Sequence, residues 1–459
     1  MSYRVCVRNG RFDQGTRKDL SDALDAWQDS GNRLVVHFHG GLVNRQTGLA
    51  MAERLGPIYE NAGGYPLFFL WQSGFGETIA HSLSAIGGER IFKRLLARIL
   101  QFLVGKARET SGSTRGIAVD LPDLQEVYQA VSSEGTEEPF SDLPEQAELL
   151  SDSQQQQFLA MVRNDSVIQG EADRIAKTKA TNISPEVLSE IAGEVTDGRD
   201  RSLVTTARLV KGALATVKRV VERQRLGRSH GLYATAVEEL LREFYLASAG
   251  RLVWQRMKQE TTDAFGGDGE RFAGTGLLEE LAALESSVPV LVGHSAGALY
   301  VCNFLAKADA LLPEGRDFDV VLLAPACDFQ TMERALTQHG HRLRHLRIFC
   351  MKDEVERKDR LLLPVYPHSL LYFVSGVLES RADWPLLGME RFHSNREQFS
   401  SPEFPEIESV RAELEGRPDS TVWSVANGRA GLTSEAVRHG DFDDDGATLN
   451  SLACFISET

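Results

Sequence analysis

Short apolar runs bounded by turn-forming residues recur in the first and last parts of the chain and predict buried β-strands. Six strands are predicted, at 33–38, 66–72, 288–292, 318–324, 346–351 and 420–425. Segments with helical character follow several of them, at about 47–61, 297–308 and 446–457. Since strands that alternate with helices form parallel sheets covered on both faces, we expect an α/β fold with a mostly parallel central sheet.

Between the second and third predicted strands the pattern changes from strand-like to helical. No strand is indicated from Ser73 to Ser287. One set of apolar residues there has the spacing of a single helix face: Leu203, Ala207, Val210, Leu214, Val217 and Val221. We therefore predict that residues 1–73 and 288–459 form one α/β domain. Residues 74–287 would form a mostly helical insertion whose last helix belongs to that domain.

The amino-acid composition disfavours some of the functions that a protein with such a fold could have. The 459 residues carry 50 Lys and Arg against 65 Asp and Glu, a net charge of −15. This acidic balance disfavours a broad nucleic-acid-binding surface. The five cysteines are widely spaced and form no zinc-binding pattern, which is typical of reduced, buried thiols. Since the N-terminus also lacks a signal-peptide pattern, a cytoplasmic location is expected.

One uncharged stretch bears on membrane contact. Residues 361–378 contain no Asp, Glu, Lys or Arg, but two prolines, a histidine and a glycine interrupt them. A membrane span needs about 20 predominantly apolar residues. We expect a buried helix or the wall of an acyl-binding pocket, and no stable membrane span. Peripheral membrane contact through this stretch is left open.

The strongest chemical signal is Gly293-His294-Ser295-Ala296-Gly297, which fits the G-x-S-x-G pattern. A predicted strand precedes it and a predicted helix follows it, which is the context of a nucleophile elbow. The sharp turn of such an elbow lifts the serine hydroxyl above the sheet, and its crowding requires small neighbours. Ser295 is therefore the predicted catalytic nucleophile.

A glycine-rich turn, His39-Gly40-Gly41-Leu42, follows the first predicted strand. Glycines leave backbone N–H groups accessible, which suits an oxyanion hole. We predict such a hole from Gly40, Gly41 and Leu42, with the N–H of Gly41 or Leu42 as one donor. The N–H of Ala296 would be the other donor. His39 itself is expected to orient the loop rather than to carry a proton.

In these two motifs and their order, the chain resembles the α/β-hydrolase family over residues 33–73 and 288–457. The likeness is greater to uncharacterised bacterial hydrolase-like proteins than to any well-known lipase. The resemblance implies an eight-stranded, mostly parallel sheet and a Ser–acid–His triad in that chain order. It also implies ester, amide or related acyl-transfer chemistry.

The same resemblance places the catalytic histidine after the last strand. Only His393 and His439 lie C-terminal to residue 380, and His439 falls between the last predicted strand and the last predicted helix. We therefore predict that His439 is the general base that takes the proton of Ser295, with His393 as a lesser alternative.

The acid of the triad is less sharply defined. The family's usual position follows the strand predicted at 346–351, where Asp353 lies. Asp353 would hold the imidazole tautomer and stabilise the imidazolium. Asp328, after the preceding strand, is the alternative acid, and capping of the next helix is the other role open to it. Glu354 and Glu356 compete as well.

Residues 441–446 copy the D-x-D-x-D-G start of a calcium-binding loop. The twelfth position, where such a loop needs a bidentate Glu, is Leu452, so capping of the last helix explains the acidic run better. The chain has no nucleotide-binding glycine motif and no H-E-x-x-H motif. Neither a cofactor nor a metal is expected.

Together these features predict a serine hydrolase that cleaves an ester or a related small-molecule or lipid-like acyl substrate through an acyl-enzyme. The helical insertion would cover the site as a cap. Two alternatives stay open: a peptidase or amidase with the same triad, and a non-catalytic, hydrolase-like interaction module. The substrate and the oligomeric state do not follow from the sequence.

Overall fold

The computed structural model describes residues 3–13, 15–41, 43–71, 75–111, 119–132, 138–144, 148–178, 180–195, 200–284, 288–394, 397–399 and 402–458. The strands in these ranges are β1 (Tyr3–Arg8), β2 (Arg11–Phe12), β3 (Arg33–Phe38), β4 (Gly64–Trp71), β5 (Val290–His294), β6 (Phe318–Leu323), β7 (Leu343–Met351), β8 (Thr421–Ser424), β9 (Ala426–Asn427) and β10 (Thr433–Ser434). Eight of them form one sheet in the order β2-β1-β4-β3-β5-β6-β7-β8. Only β1 and β2 pair antiparallel, and all the other neighbours in this sheet are parallel. The predicted mostly parallel sheet is therefore confirmed.

The strand order changes direction between β3 and β5, which pair directly with each other. From β3 the chain continues to β4 on one side, and from β5 it continues through β6 and β7 to β8 on the other. In open parallel sheets, ligands bind beyond the carboxyl ends of the strands at such a switch point. His39 follows β3 and Ser295 follows β5, so both residues lie at this point.

Most of the remaining described chain is helical. The α-helices are α1 (Arg17–Ser30), α2 (Arg45–Asn61), α3 (Phe75–Gly88), α4 (Arg90–Ser111), α5 (Leu124–Ser132), α6 (Asp152–Arg163), α7 (Ser166–Thr178), α8 (Pro185–Glu194), α9 (Arg201–Arg225), α10 (Leu232–Phe244), α11 (Leu252–Asp263), α12 (Ala273–Ala283), α13 (Gly297–Leu311), α14 (Phe329–His339), α15 (Asp353–Glu356), α16 (Leu370–Phe373), α17 (Glu390–Ser394), α18 (Pro405–Glu415) and α19 (Gly446–Glu458). Short π-helical turns span Ala247–Arg251 and Val374–Leu378, and 3₁₀ turns span Gly340–Arg342 and Asp441–Asp443.

Alternate side chains of the strands face helices on opposite sides of the sheet, as the period of a strand requires. On one side, Nδ1 of His37 in β3 lies 2.8 Å from the hydroxyl of Tyr59 in α2. Apolar residues of α2 and α19 form a common core with the strands on that side. On the other side, Phe38 stacks on Tyr300 of α13 with ring centroids 5.2 Å apart. The chain therefore has an α/β fold with helices on both faces of its sheet.

The chain forms two compact units. The sheet unit comprises Met1–Glu77, Val253–Asp359 and Pro385–Thr459, and the helical unit comprises Thr78–Leu252 and Arg360–Trp384. Helix α12, the last helix before residue 288, lies in the sheet unit, and the prediction had likewise placed it with the α/β domain. Most of α11 lies in the sheet unit as well, whereas the prediction had left it in the insertion. Residues 360–384, expected in the second part of the α/β domain, belong to the helical unit instead.

Within the helical unit, the long helix α9 packs against α6, α7, α8 and α10. Because neighbours contact α9 from several directions, its buried surface is broader than one stripe. Val210, Val217 and Val221 are buried as predicted, but Leu203 and Ala207 face solvent.

The uncharged stretch 361–378 also packs within the helical unit. The π-helical turn Val374–Leu378 and helix α16 before it are buried. The Tyr366 hydroxyl donates a hydrogen bond of 2.5 Å to Glu238 of α10. A buried segment is therefore found where one was predicted, and its contact with an acyl chain stays a prediction.

Candidate active site

Ser295 occupies a sharp turn between β5 and α13. Its φ is +52°, in the left-handed region that non-glycine residues rarely adopt and that costs on the order of 1–3 kcal/mol. Two hydrogen bonds hold the turn: the Ser295 N–H donates to the Leu323 carbonyl at 2.8 Å, and the Ser295 carbonyl accepts from the Ala326 N–H at 3.0 Å. A sharp strand-to-helix turn is therefore present at Ser295.

The two glycines of the pattern are required by close backbone contacts. A Cβ atom at Gly293 would lie 2.8 Å from the carbonyl oxygen of Gly297. A Cβ atom at Gly297 would lie 2.1 Å from the carbonyl oxygen of Phe38. Any side chain at either position would therefore push β5, α13 and the end of β3 apart.

His439 meets Ser295 at this turn. Its Nε2 lies 2.8 Å from the Ser295 Oγ, although the two residues are far apart in sequence. Both side chains are buried. Burial, with a smaller contribution from the charge of His294, lowers the pKa of His439 to about 3. At neutral pH the imidazole is therefore uncharged, so Nε2 can accept the hydroxyl proton.

The glycine-rich loop after β3 lies beside the same serine. A Cβ atom at Gly40 would lie 3.3 Å from the Ser295 Cβ, and one at Gly41 would lie 3.4 Å from the Ala296 Cβ. The N–H groups of Gly40 and Ala296 donate no hydrogen bond within the described part of the chain. Leu42, the remaining predicted donor, lies outside the described residues.

His39 fixes the position of this loop. Its Nε2 accepts a hydrogen bond of 3.1 Å from the Trp71 N–H, and its Nδ1 lies 2.8 Å from the Gly40 carbonyl. The proton is therefore on Nδ1, which donates to Gly40. Burial lowers the pKa of His39 to about 4, so the ring is neutral. These contacts are those of a histidine that orients the loop, as expected from the sequence.

Neither predicted acid reaches the imidazole of His439. Asp353 begins α15, and its backbone N–H donates to the Glu390 carboxylate at 2.7 Å. Asp328 caps α14 through a hydrogen bond of 2.6 Å from the Thr331 N–H. The Nδ1 atom of His439 is buried and has no hydrogen-bond partner in the described part of the chain. The structure thus brings the predicted serine and histidine together but shows no carboxylate on Nδ1.

Three residues that the sequence did not single out hold His439 in place. Asp359 accepts a hydrogen bond of 2.7 Å from the His439 backbone N–H, and burial raises the pKa of Asp359. The Nε2 of His294 lies 3.1 Å from the His439 carbonyl oxygen. The Nδ1 of His294 lies 3.4 Å from the Asp443 carboxylate. The sequence did contain a feature that marked the segment of Asp443, namely the acidic run that resembles a calcium-binding loop.

The aspartates of the acidic run each have a different partner. Asp445 caps α19, because its carboxylate accepts a hydrogen bond of 2.8 Å from the Thr448 N–H. Asp441 accepts from the Val437 N–H at 3.3 Å, and Asp443 faces His294. Capping at the start of the last helix was the expected explanation, and it accounts for Asp445. Among the described residues, no group of three or more His, Cys, Asp and Glu side chains is placed to hold a metal ion.

No protein-family model matches this chain, and no curated protein and no solved structure matches it either. In the described part of the chain, no helix combines the length and the apolar character needed to cross a bilayer. A functional proposal therefore rests on the fold and on the geometry around Ser295.

Proposed function

We propose that this chain is a serine hydrolase of the α/β-hydrolase type that cleaves an ester or a related acyl substrate. The observation that carries the proposal is the 2.8 Å contact between Ser295 Oγ and His439 Nε2 at a strained turn between β5 and α13. A serine that is held in the left-handed region, beside a neutral imidazole and a glycine-rich loop, matches the requirements of an activated nucleophile.

The acylation step uses these atoms directly. His439 Nε2 takes the hydroxyl proton as Ser295 Oγ attacks the substrate's carbonyl carbon, and a tetrahedral oxyanion forms. When the carbonyl re-forms, the bond to the alcohol oxygen breaks and His439 returns the proton to that leaving group. The acyl group then remains on Ser295.

Water completes the cycle. His439 Nε2 takes a proton from the water molecule as its oxygen attacks the acyl carbon, and a second tetrahedral oxyanion forms. Its collapse breaks the bond to Ser295 Oγ, which regains the proton from His439, and the carboxylic acid leaves. No oxidant, metal or cofactor enters this balance.

The oxyanion of both steps would be bound by backbone N–H groups. Ala296 follows the nucleophile at the N-terminal end of α13, where the helix dipole also favours negative charge. The N–H of Gly40, which donates no hydrogen bond in the described part of the chain, lies on the facing loop, where Gly41 was predicted as a further donor. Loss of one such donor typically costs about 10²- to 10³-fold in kcat, so the loop is expected to contribute substantially to the rate.

A panel of chromogenic esters of graded acyl length tests the proposed chemistry. For the best substrate, Ser295→Ala should lower kcat/KM by at least about 10³-fold, because the nucleophile is gone. Ser457→Ala, at the exposed end of α19, is the matched control and should behave like the wild type. A chromogenic anilide in the same panel separates esterase from amidase activity. Equal ester turnover by Ser295→Ala and the wild type would contradict the proposal.

A further inference from the structure

The proposed chemistry does not explain what holds the His439 ring in its orientation. Because Nε2 accepts the Ser295 proton, the neutral imidazole carries its own proton on Nδ1, and this nitrogen has no hydrogen-bond partner in the described part of the chain. A carboxylate at that nitrogen would both orient the ring and stabilise its charged form. In this protein another arrangement must hold the ring in its orientation.

The backbone of residue 439 is held from two sides. Asp359 accepts its N–H, and His294 Nε2 contacts its carbonyl oxygen at 3.1 Å. His294 is the central residue of the nucleophile elbow, directly before Ser295 in sequence. The same strand end thus carries the nucleophile and fixes the backbone of its base.

His294 lies between two groups that can only accept hydrogen bonds. Its Nε2 faces the His439 carbonyl and its Nδ1 faces the Asp443 carboxylate at 3.4 Å. The Nδ1–carboxylate contact is an ion-pair distance rather than a hydrogen bond, and a carboxylate so close favours a proton on Nδ1 as well as on Nε2, that is, an imidazolium paired with an aspartate. The pKa shifts of the two residues agree with an ion pair. Burial opposes both charges, but their mutual attraction raises the pKa of His294 and lowers that of Asp443 to about 2.

Asp443 is itself anchored. It lies in the 3₁₀ turn Asp441–Asp443, only four residues after His439, and it is buried. Arg54 of α2 donates a hydrogen bond of 2.9 Å to the Asp443 carbonyl, and its guanidinium lies 3.9 Å from the carboxylate. The acid is therefore fixed both to the loop that carries His439 and to a helix of the sheet unit.

We infer that Asp443, acting through His294, is the carboxylate that positions His439, in place of a carboxylate on Nδ1. The inference rests on the proposed function. The ring centroids of His294 and His439 are 5.8 Å apart, so a shift of the His294 ring would move the backbone that carries the base. Asp443 and His294 are positioning residues, since neither touches the reacting hydroxyl. This places the acid after the histidine in sequence, where the resemblance had placed it before.

Several other ionisable groups lie near this pair. In the described part of the chain they include His37 and His39 at β3, Arg54 and Tyr59 of α2, and Asp444. Burial lowers the pKa of His37 to about 3 and that of His39 to about 4, so both are neutral. Arg54 and Asp444 pair with each other as well. His294 and Asp443 act on the pKa of His439 in opposite directions, His294 lowering it and Asp443 raising it.

Two substitutions at residue 294 separate the hydrogen bond to His439 from the ion pair with Asp443. In His294→Gln the amide nitrogen replaces Nε2 and can still donate to the His439 carbonyl, whereas in His294→Asn it replaces only Nδ1. We expect His294→Asn to lower kcat by about 10- to 100-fold at unchanged KM, and His294→Gln to retain more activity. Asp443→Asn should fall in the range of His294→Asn, and Asp444→Asn, at the exposed neighbour, should stay near the wild type.

The pH profile gives a readout that a purely structural role would not move. In His294→Gln the cation that repels a proton on His439 is gone and the Asp443 charge is left less compensated, so the pKa of His439 rises. The acid limb of kcat/KM should therefore move to higher pH than in the wild type. Thermal unfolding followed by circular dichroism identifies variants that lose activity only because they unfold.

Three results would overturn the inference. One is wild-type kcat in both His294→Asn and Asp443→Asn, and another is an unmoved acid limb in folded His294→Gln. The third is a loss of several orders of magnitude in Asp353→Asn with none in Asp443→Asn, which would return the acid to the predicted position. Each of these can occur while Ser295→Ala remains inactive, so the inference can fail with the proposed function intact. Wild-type activity in Ser295→Ala would remove the proposed function itself.

Discussion

Replacing His439 with alanine is expected to lower kcat/KM for ester hydrolysis on the order of 10⁴- to 10⁶-fold. Without Nε2 within hydrogen-bond distance, the Ser295 hydroxyl keeps its proton and is a poor nucleophile at neutral pH. The loss should appear mainly in kcat, because the imidazole acts on the hydroxyl proton rather than on substrate binding. Steady-state kinetics on the best chromogenic ester measure it.

His393 provides the matched control for this experiment, since it is the other histidine after residue 380. Its Nε2 lies 2.8 Å from the Leu387 carbonyl, and its ring packs edge-on against Trp423. His393→Gln keeps a donor for that carbonyl and should leave kcat within about twofold of the wild type, as is usual for a substitution away from the site. A large loss in His393→Gln together with an active His439→Ala would show that the wrong histidine was assigned.

Gly297→Ala is expected to destabilise the sheet unit by about 3 kcal/mol and to abolish activity. Alanine normally suits a helix better than glycine by roughly 0.5–1 kcal/mol, so the usual sign of this change is stabilising. Here the new Cβ would lie 2.1 Å from the Phe38 carbonyl oxygen and 3.0 Å from that of His39. Because both neighbours are backbone atoms, relief requires movement of β3 against α13, and overpacking of this kind typically costs 1–3 kcal/mol or more.

The apparent midpoint of thermal or denaturant unfolding, measured together with esterase activity, tests this expectation. Gly446→Ala is the control: a Cβ at Gly446, in the first turn of α19, would have no neighbour within 4 Å. Its midpoint should equal that of the wild type or exceed it slightly. If Gly297→Ala were as stable and as active as Gly446→Ala, the close packing of the elbow against β3 would be wrong.

The central part of the fold could be predicted from local patterns. The six predicted strands all form. Most of them are short apolar runs that are buried in the parallel sheet, and β8, at the sheet edge, is half-buried. Strand β1 was missed because its apolar run, at residues 5–7, is only three residues long between Arg4 and Arg8, and β2 beside it has only two residues.

The candidate site, too, could be predicted from the sequence only in part. The turn at Ser295 could be predicted because it is a local structure, in which a strand, a crowded turn and a helix follow one another within a few residues. The contact of His439 with Ser295 could be predicted because few histidines follow the last strand. The surroundings of His439 Nδ1 could not, since they depend on how the loops after β7 and β8 fold, and no periodic pattern governs loops. Asp353 has the predicted sequence position, but its N–H is bound by Glu390 as α15 begins.

The contact between His294 and Asp443 has no local sequence signature. In the sequence, His294 is the variable position of G-x-S-x-G, and Asp443 belongs to an acidic run that precedes a helix. Their pairing joins the end of β5 to a 3₁₀ turn after His439, and 3.4 Å separates Nδ1 from the carboxylate. Such a contact follows from tertiary structure alone.

Covalent labelling by a fluorophosphonate probe, followed by mass spectrometric peptide mapping, tests most directly the claim that Ser295 is the nucleophile. We expect one adduct per wild-type chain, located on Ser295, the same adduct in Ser457→Ala, and none in Ser295→Ala. Equal labelling of Ser295→Ala, an adduct on a different residue, or no labelling of the folded wild-type chain would contradict it.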